Sequence, residues 1–321
     1  MFGDILVLLP EHAAKVHGDL IRSELRRLLP EARLRIVCDE QSLTDSADVD
    51  VIVAPQVPWL HRAIAACPGL RWLHLLTAGA ELVFEAGLQN GAYWISKSSG
   101  VNAPAVAEYV IAAILYFSKR LDIFAQQQQR REWRRYWLDE LAGKQITILG
   151  LGSIGLEIAK RASAIGFRTV GVSRKATPVP WVDVVLPGSS LVAAVNGSAV
   201  LAVAVPLTPQ TRGLVGASVL GSLEPGAIVI DVSRGGVLVH DDLIPLLTEG
   251  RLRGAALDVF DKEPLPRDSE LWRMPNVLVT PHVAGTTDLF MERALRVFAR
   301  NLKSLTENNR LATPVDLDAG Y

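Results

Sequence analysis

Three groups able to do chemistry follow three apolar runs in the second half of the chain. Ile228-Val-Ile-Asp-Val-Ser233 runs into Arg234-Gly-Gly236, and Ala255-Ala-Leu-Asp-Val-Phe260 into Asp261-Lys-Glu-Pro-Leu265. Val277-Leu-Val-Thr280 runs into Pro281-His282-Val-Ala-Gly285. An arginine, a carboxylate and an imidazole thus each stand just beyond a candidate buried strand, where doubly wound sheets place their ligands. Hydride transfer at a 2-hydroxy or 2-oxo acid needs these three groups. An arginine fork pairs with the substrate carboxylate and carbonyl. A histidine gives or takes the hydroxyl proton near neutral pH, and a carboxylate partner orients the ring and favours its charged form. Outside this pattern His282 reads as a cap or a satisfied buried group, and Arg234 as a surface charge. His12, His17, His61, His74 and His240 lack such a context and read as structural or exposed. No Cys/His/Asp/Glu cluster has metal-ligand spacing, so no metal is expected.

A second stretch offers a seat for a charged cofactor. Residues Gln145 to Lys160 begin as a short apolar run, Ile146 to Leu149, dense enough for a strand buried on both faces. Gly150, Gly152 and Gly155 follow at the spacing G-x-G-x-x-G, and Leu156, Ile158, Ala159 and Ala162 continue at helical spacing. Three glycines alone are a weak signal; a strand before and a helix after make this a dinucleotide site. Gly150 would form the tight turn, Gly152 would let the backbone approach the pyrophosphate, and Gly155 would let the helix pack close to the strand. The helix N-terminus supplies N–H groups and partial positive charge. The next strand, Phe167 to Val172, ends about twenty residues beyond the glycines, where an NAD-specific site carries Asp or Glu for the ribose. Ser173-Arg174-Lys175 stands there instead. Serine donates to a phosphate and the cations neutralise it, so NADP(H) is the expected preference. NAD(H) remains open if the two cations are only solvated loop charges.

These groups need a scaffold, and its elements are visible as alternating strand-like and helix-like segments. Ile5–Leu9, Leu34–Cys38, Val49–Ala54, Leu70–Leu76 and Tyr93–Ser96 read as strands, with helices over His12–Leu29 and near Trp59–Ala66. Beyond the glycines come Thr169–Val172, Val182–Leu186, Ala199–Val205, Ala227–Val232, Ala255–Val259 and Val277–Thr280, then an amphipathic helix from about Asp288 to Leu305. The alternation predicts an α/β chain with two doubly wound parallel-sheet domains, the second of Rossmann type. Residues 1–100 plus 288–321 form the first and 101–287 the second. Leu9-Pro10-Glu11 follows the first strand, so the first domain should share the layers without the nucleotide site. Ala105–Leu121 is apolar almost all round and must be buried, in its own domain or against another subunit; a dimer with Ile114 and Phe117 in the contact is expected. Gln126–Leu141 reads as a solvated basic helix or arm anchored by Trp133, Tyr136 and Trp137. The 321 residues, 49% of them hydrophobic, suit two domains. A net charge of −1 gives no reason to expect nucleic acid or an anionic membrane. No apolar run reaches membrane-spanning length, the N-terminus does not resemble a secretory signal, and the two cysteines do not suggest a disulfide framework. A cytoplasmic protein is expected.

The motifs also carry a resemblance. Leu141-Ala-Gly-Lys-x-x-x-Ile-Leu-Gly-Leu-Gly-x-Ile-Gly155, Val205-Pro-Leu-Thr-Pro-Gln-Thr-Arg212, Asp231-Val-Ser-Arg-Gly-Gly236, Leu257-Asp-Val-Phe-x-x-Glu-Pro-Leu265 and Pro275-Asn-Val-x-x-Thr-Pro-His-Val-Ala-Gly285 resemble the D-isomer-specific 2-hydroxyacid dehydrogenase family over about residues 100–290. The resemblance implies that Arg234 binds substrate, Glu263 assists, and His282 is the acid/base. It implies that Asp258 contacts the nicotinamide end, Ser153 and Ile154 the pyrophosphate, and that Pro206, Val232 and Gly285 belong to the cofactor site. The substrate-carboxylate loop of a flavodoxin-like first domain would fall at Thr77-Ala78-Gly79, followed by Glu81 where the family often has Asp; Val239-His240 likewise departs from an acidic position. A cleft between domains hinged near residues 100 and 287, and a homodimer built on Ala105–Leu121, are further implications. The chain ends at Tyr321 with no room for an appended regulatory domain, and small substrates such as glyoxylate or hydroxypyruvate are expected. A dehydrogenase for bulkier, phosphorylated or formate-like acids, and a non-catalytic nicotinamide-binding regulator, are the alternatives.

Overall fold

In a computed structural model that describes residues 2–44 and 46–317, the chain forms two units, Met1–Asn102 with Thr287–Tyr321, and Ala103–Thr286. The last four positions of the expected 288–321 segment lie outside the described residues. In unit 1 the chain runs β1 (Asp4–Leu8), α1 (Glu11–Leu28), β2 (Arg33–Val37), β3 (Val49–Ala54), α2 (Leu60–Ala65), β4 (Trp72–Leu75), α3 (Glu81–Glu85) and β5 (Trp94–Lys97). All neighbouring strands pair in parallel, in the order β2-β1-β3-β4-β5. Alternate residues feed opposite faces: Leu6, Leu8, Ile52, Leu73 and Leu75 enter one core, and Ile5, Val7, Val51, Val53 and Trp72 the other. That double burial is why stretches such as residues 5–9 and 51–54 read as unbroken apolar runs.

Unit 2 opens with α4 (Ala103–Ser118) and α5 (Leu121–Arg130). It continues with β6 (Gln145–Leu149), α6 (Ser153–Ala164), β7 (Arg168–Ser173), β8 (Val184–Pro187), α7 (Leu191–Val195), β9 (Val200–Val203), α8 (Ala217–Gly221), β10 (Ala227–Asp231), α9 (His240–Thr248), β11 (Leu252–Leu257) and β12 (Val277–Val279). The seven strands lie parallel in the order β12-β11-β10-β9-β6-β7-β8. Chain order thus proceeds from β6 outward to β8, then restarts on the other side at β9, the arrangement of a Rossmann sheet. The chain closes in unit 1 with α10 (Phe290–Asn308), whose Phe298 stacks on Trp72 with ring centroids 4.7 Å apart.

Two expectations change. Ile114 and Phe117 do not face outward: both are fully buried in the chain's own core, with the Phe117 ring lying over Gly254 of β11. Helix α4 needs its broad apolar girth to fill this unit, and the helix ends at Ser118, before a left-handed Arg120, rather than at Leu121. Of the arm's expected aromatic anchors only Tyr136 packs, against Phe124 and under the Arg120 guanidinium, and the two tryptophans do not. After α5 stops at Arg131, in the left-handed region, residues 131–141 take neither helix nor strand, and Trp133 and Trp137 are 95% and 96% exposed. Among the described residues, no helix is long and apolar enough to cross a membrane.

Candidate active site

The strand order switches sides between β6 and β9, the place at whose carboxyl ends doubly wound sheets hold their ligands, and the glycine loop follows β6 there. Gly150 has φ +99°, and a Cβ there would stand 2.7 Å from the Ala204 carbonyl oxygen just past β9. A Cβ on Gly155 would overlap the Gly150 carbonyl oxygen, so α6 sits directly on the turn. Gly152 differs, because a Cβ there would meet no protein atom within 4 Å. Its lack of a side chain answers no packing demand and leaves open space before the helix N-terminus. The Leu156 amide closes the first turn on the Gly152 carbonyl at 3.0 Å. The N–H groups of Ser153, Ile154 and Gly155 therefore have no partner from within the helix and favour an anion there. These residues fit a dinucleotide pyrophosphate. Ser173 ends β7 half-buried, with Arg174 and Lys175 exposed beyond it. Pro206 is half-buried past β9, its carbonyl accepting from Thr211 Oγ1 at 2.6 Å. Val232 turns its side chain into the core on the same face as Ile228 and Ile230.

The three chemical groups meet through the loops beyond β10, β11 and β12. Asp231, buried at the end of β10, accepts from the Ser233 amide at 3.0 Å and from its hydroxyl at 2.5 Å. Burial pushes the Asp231 pKa up to about 7, with the Ser233 hydrogen bonds opposing it. Arg234 follows, half-buried, one guanidinium nitrogen donating to the Ser233 carbonyl at 2.8 Å. Gly235 backs onto the Phe260 carbonyl so closely that a Cβ would overlap it, which brings the Arg234 turn against the loop carrying Glu263. One Glu263 oxygen accepts from the Phe260 amide at 3.0 Å, and the other meets His282 Nδ1 at 2.9 Å. An ionised carboxylate only accepts, so Nδ1 carries the proton and Nε2 is left for another partner. The His282 side chain is 46% exposed. Its backbone lies at φ +53°, a left-handed conformation that costs a non-glycine residue about 1–3 kcal/mol.

Asp258 faces inward. Its buried carboxylate accepts from Thr280 Oγ1 at 2.6 Å and from the amides of Val283 and Ala284, both at 2.9 Å. Thr280 Oγ1 also lies 2.8 Å from the Tyr109 hydroxyl on α4. Gly285 sits in the turn closed by the Thr286 amide on the Val283 carbonyl at 2.8 Å. Tyr109, Thr280, Asp231 and Ser233 were not marked by the sequence. Thr280 and Ser233 lie inside the motifs beside His282 and Arg234, whereas Tyr109 is 171 positions from its partner and carries no local signal. His240 opens α9, with Nδ1 4.0 Å from Asp261, and His74 is buried between Ser96 and Ser98 in unit 1. Also in unit 1, Thr77, Ala78 and Gly79 form a half-buried loop after β4. Thr77 donates its hydroxyl to the Gly79 carbonyl at 2.9 Å and accepts the Ser98 amide at 3.0 Å. Glu81, next in line, accepts from Gln56 Nε2 at 3.0 Å. Among the described residues, no group of three His, Cys, Asp or Glu side chains could hold a metal ion.

The chain resembles known proteins over most of its length. Residues 111–284, just over half the chain, match the D-isomer specific 2-hydroxyacid dehydrogenase NAD-binding domain. Glyoxylate/hydroxypyruvate reductase A of Serratia proteamaculans is 31% identical over 306 residues, 92% of this chain and 94% of the relative. A D-isomer specific 2-hydroxyacid dehydrogenase of Xanthobacter autotrophicus, solved with NADPH and MES, superposes with TM-score 0.87 at 27% identity, covering 100% of both chains. An NADPH-dependent glyoxylate/hydroxypyruvate reductase of Sinorhizobium meliloti, solved with NADP and sulfate, gives TM-score 0.86 at 26% identity, covering 99% of this chain and 100% of the other. With the family model matching just over half of it and a reductase 31% identical over 92% of it, this chain belongs to the D-isomer specific 2-hydroxyacid dehydrogenase family.

Proposed function

We propose that this enzyme reduces a small 2-oxo acid, glyoxylate or hydroxypyruvate, to the 2-hydroxy acid, the D-isomer where the product is chiral, with NADPH as its preferred cofactor. The observation that carries the reading is the Glu263–His282 hydrogen bond, which orients the imidazole and leaves Nε2 available to the substrate oxygen. Arg234 pairs with the substrate carboxylate and polarises the carbonyl. The doubly protonated ring of His282 donates its Nε2 proton, which turns the carbonyl oxygen into a hydroxyl, and ends neutral with Nδ1–H still bonded to Glu263, which holds the ring in place. The backbone N–H groups of Thr77, Ala78 and Gly79 assist with the substrate carboxylate. Bound NADPH supplies the hydride. Its pyrophosphate is held by Gly150, Gly152, Ser153, Ile154 and Gly155, and Pro206, Val232, Asp258 and Gly285 contribute the remaining walls, Val232 through its backbone.

The end of β7 supports the choice of NADPH. Ser173, Arg174 and Lys175 include no carboxylate to accept from a ribose 2′-hydroxyl or to repel a 2′-phosphate. Steady-state reduction of a panel of small, bulky and phosphorylated 2-oxo acids with each cofactor tests the whole reading. The expected kcat/KM is about tenfold or more higher with NADPH than with NADH, the scale of one hydrogen bond to a charged group. Ser173→Asp should reverse the order. A higher kcat/KM with NADH in the wild type overturns the cofactor assignment, and fastest turnover on a bulky or phosphorylated acid overturns the substrate. The working form is proposed to be a homodimer. Trp133 and Trp137 on an exposed arm support association, because a monomer gains by covering such apolar surface.

A further inference from the structure

The loop that carries His282 is wrapped around one carboxylate. Asp258 Oδ1 accepts from Thr280 Oγ1 and from the Val283 amide, and Oδ2 accepts from the Ala284 amide. Both flanks of His282 are thereby fastened to a single group at the carboxyl end of β11. Between the fastenings the chain turns sharply: the His282 amide donates to the Thr280 carbonyl at 3.0 Å, and the residue is held at φ +53°. The Thr280 hydroxyl has one proton, which it gives to Asp258, so the Tyr109 hydroxyl is the donor in the 2.8 Å contact between them. Tyr109 is able to donate throughout the working range, since burial pushes its pKa up to about 12. It stands on α4, a helix set into the core by Val106, Val110, Ile114 and Phe117.

We propose that Tyr109, Thr280 and Asp258 form a clamp that ties the His282 turn to α4 and β11, holds it in its left-handed conformation, and so aims the imidazole. They act as positioning residues, and Asp258 does so through its bonds to the two flanks of His282, in addition to its place in the cofactor wall. The proposal rests on His282 being the proton donor. The geometry favours a clamp over a mere structural contact, because three of the four hydrogen bonds made by the Asp258 and Thr280 side chains converge on the two flanks of the one residue whose orientation the chemistry requires. A small misplacement of a reacting group is enough to cost about a hundredfold in rate.

The experiment compares wild type with Thr280→Val, Thr280→Ser and Tyr109→Phe, each made also in a His282→Asn background. Values of kcat and KM are measured with glyoxylate and NADPH, NADPH affinity by fluorescence titration, and melting temperature in parallel. Thr280→Val should lower kcat by about 10- to 100-fold, with the substrate KM and NADPH affinity within about twofold of wild type. Thr280→Ser should restore kcat to within about threefold, because it returns the hydroxyl. Tyr109→Phe, which removes one oxygen from the outer link, should lower kcat by a smaller factor and leaves the clamp testable if Thr280→Val unfolds. With His282→Asn in place, neither change should lower the residual rate further. An unchanged kcat in Thr280→Val and Tyr109→Phe, or a fall in melting temperature with no effect on kcat, overturns the clamp. If His282→Asn itself retains wild-type kcat, it is the role of His282 that fails, a result distinguishable from the first.

Discussion

Unit 1 and unit 2 are built alike and end their first strands differently. Each has a parallel sheet fed by helices, with strand orders β2-β1-β3-β4-β5 and β12-β11-β10-β9-β6-β7-β8 that both reverse direction beside their first strand. After β1 the chain runs through Leu9 and Pro10 into α1, with Pro10 in extended conformation. After β6 it runs through Gly150, Gly152 and Gly155 into α6. Layers and a switch point alone therefore do not make a nucleotide site. The difference lies in whether the backbone turns tightly enough to bring a helix N-terminus onto the strand end and leaves room in front of it. The two units diverge in the same way at their histidines. His74 on β4 is fully buried, its two ring nitrogens meeting Ser96 Oγ at 2.7 Å and Ser98 Oγ at 3.2 Å, whereas His282 is half-exposed against Glu263. One imidazole is consumed by the fold and the other is left to react.

Two substitutions break the first contrast. Gly152→Val should weaken NADPH binding by roughly a hundredfold or more, the scale of losing about two hydrogen bonds to a charged group. Melting temperature should hardly change, since a Cβ at this position meets no protein atom within 4 Å. Pro10→Ala, at the corresponding turn of unit 1, should leave NADPH affinity within about twofold. Fluorescence titration decides: tight binding by Gly152→Val would show that the pyrophosphate lies elsewhere.

The second contrast is sharpened by acid. Burial holds the His74 pKa down to about 3, from 6.5 in the unfolded chain. Below pH 6.5 the unfolded chain therefore takes up a proton that the folded chain refuses. The His74 contribution to stability is complete above that pH and is lost progressively as pH falls toward 3, by about a factor of ten in the folding constant per pH unit. Urea unfolding at pH 7 and pH 5 should show this loss in wild type and a smaller one in His74→Gln. Equal losses in the two proteins would mean that His74 is not the group responsible.

The same contrast separates what the amino-acid sequence displays openly from what only packing decides. Strands are on display, since burial on both faces of a parallel sheet writes continuous apolar runs such as residues 51–54. So are the glycine loop and Arg234, Glu263 and His282, because each obeys a local rule of spacing or of position after a strand. Partnership is less legible than burial. The apolar girth of α4 announces that Ile114 and Phe117 will be covered, but the covering surface is β11 and α6 of the same unit, a fact that hydrophobicity alone does not carry. The arm 131–141 misleads for the converse reason: its tryptophans look like anchors, yet both stand almost fully exposed among the described residues. Asp258 is visible as a carboxylate after a strand, while its three donors come from backbone and side chains 22 to 26 residues away.

The central claim is that His282 delivers the proton to a carbonyl reduced with NADPH. The most direct measurement follows NADPH absorbance on addition of glyoxylate or hydroxypyruvate, for wild type and His282→Asn, with NADPH affinity titrated separately. The account predicts turnover by wild type, a fall in kcat of roughly two to four orders of magnitude in the variant, and NADPH affinity within about twofold. A His282→Asn enzyme that reduces either acid within tenfold of the wild-type rate would contradict it.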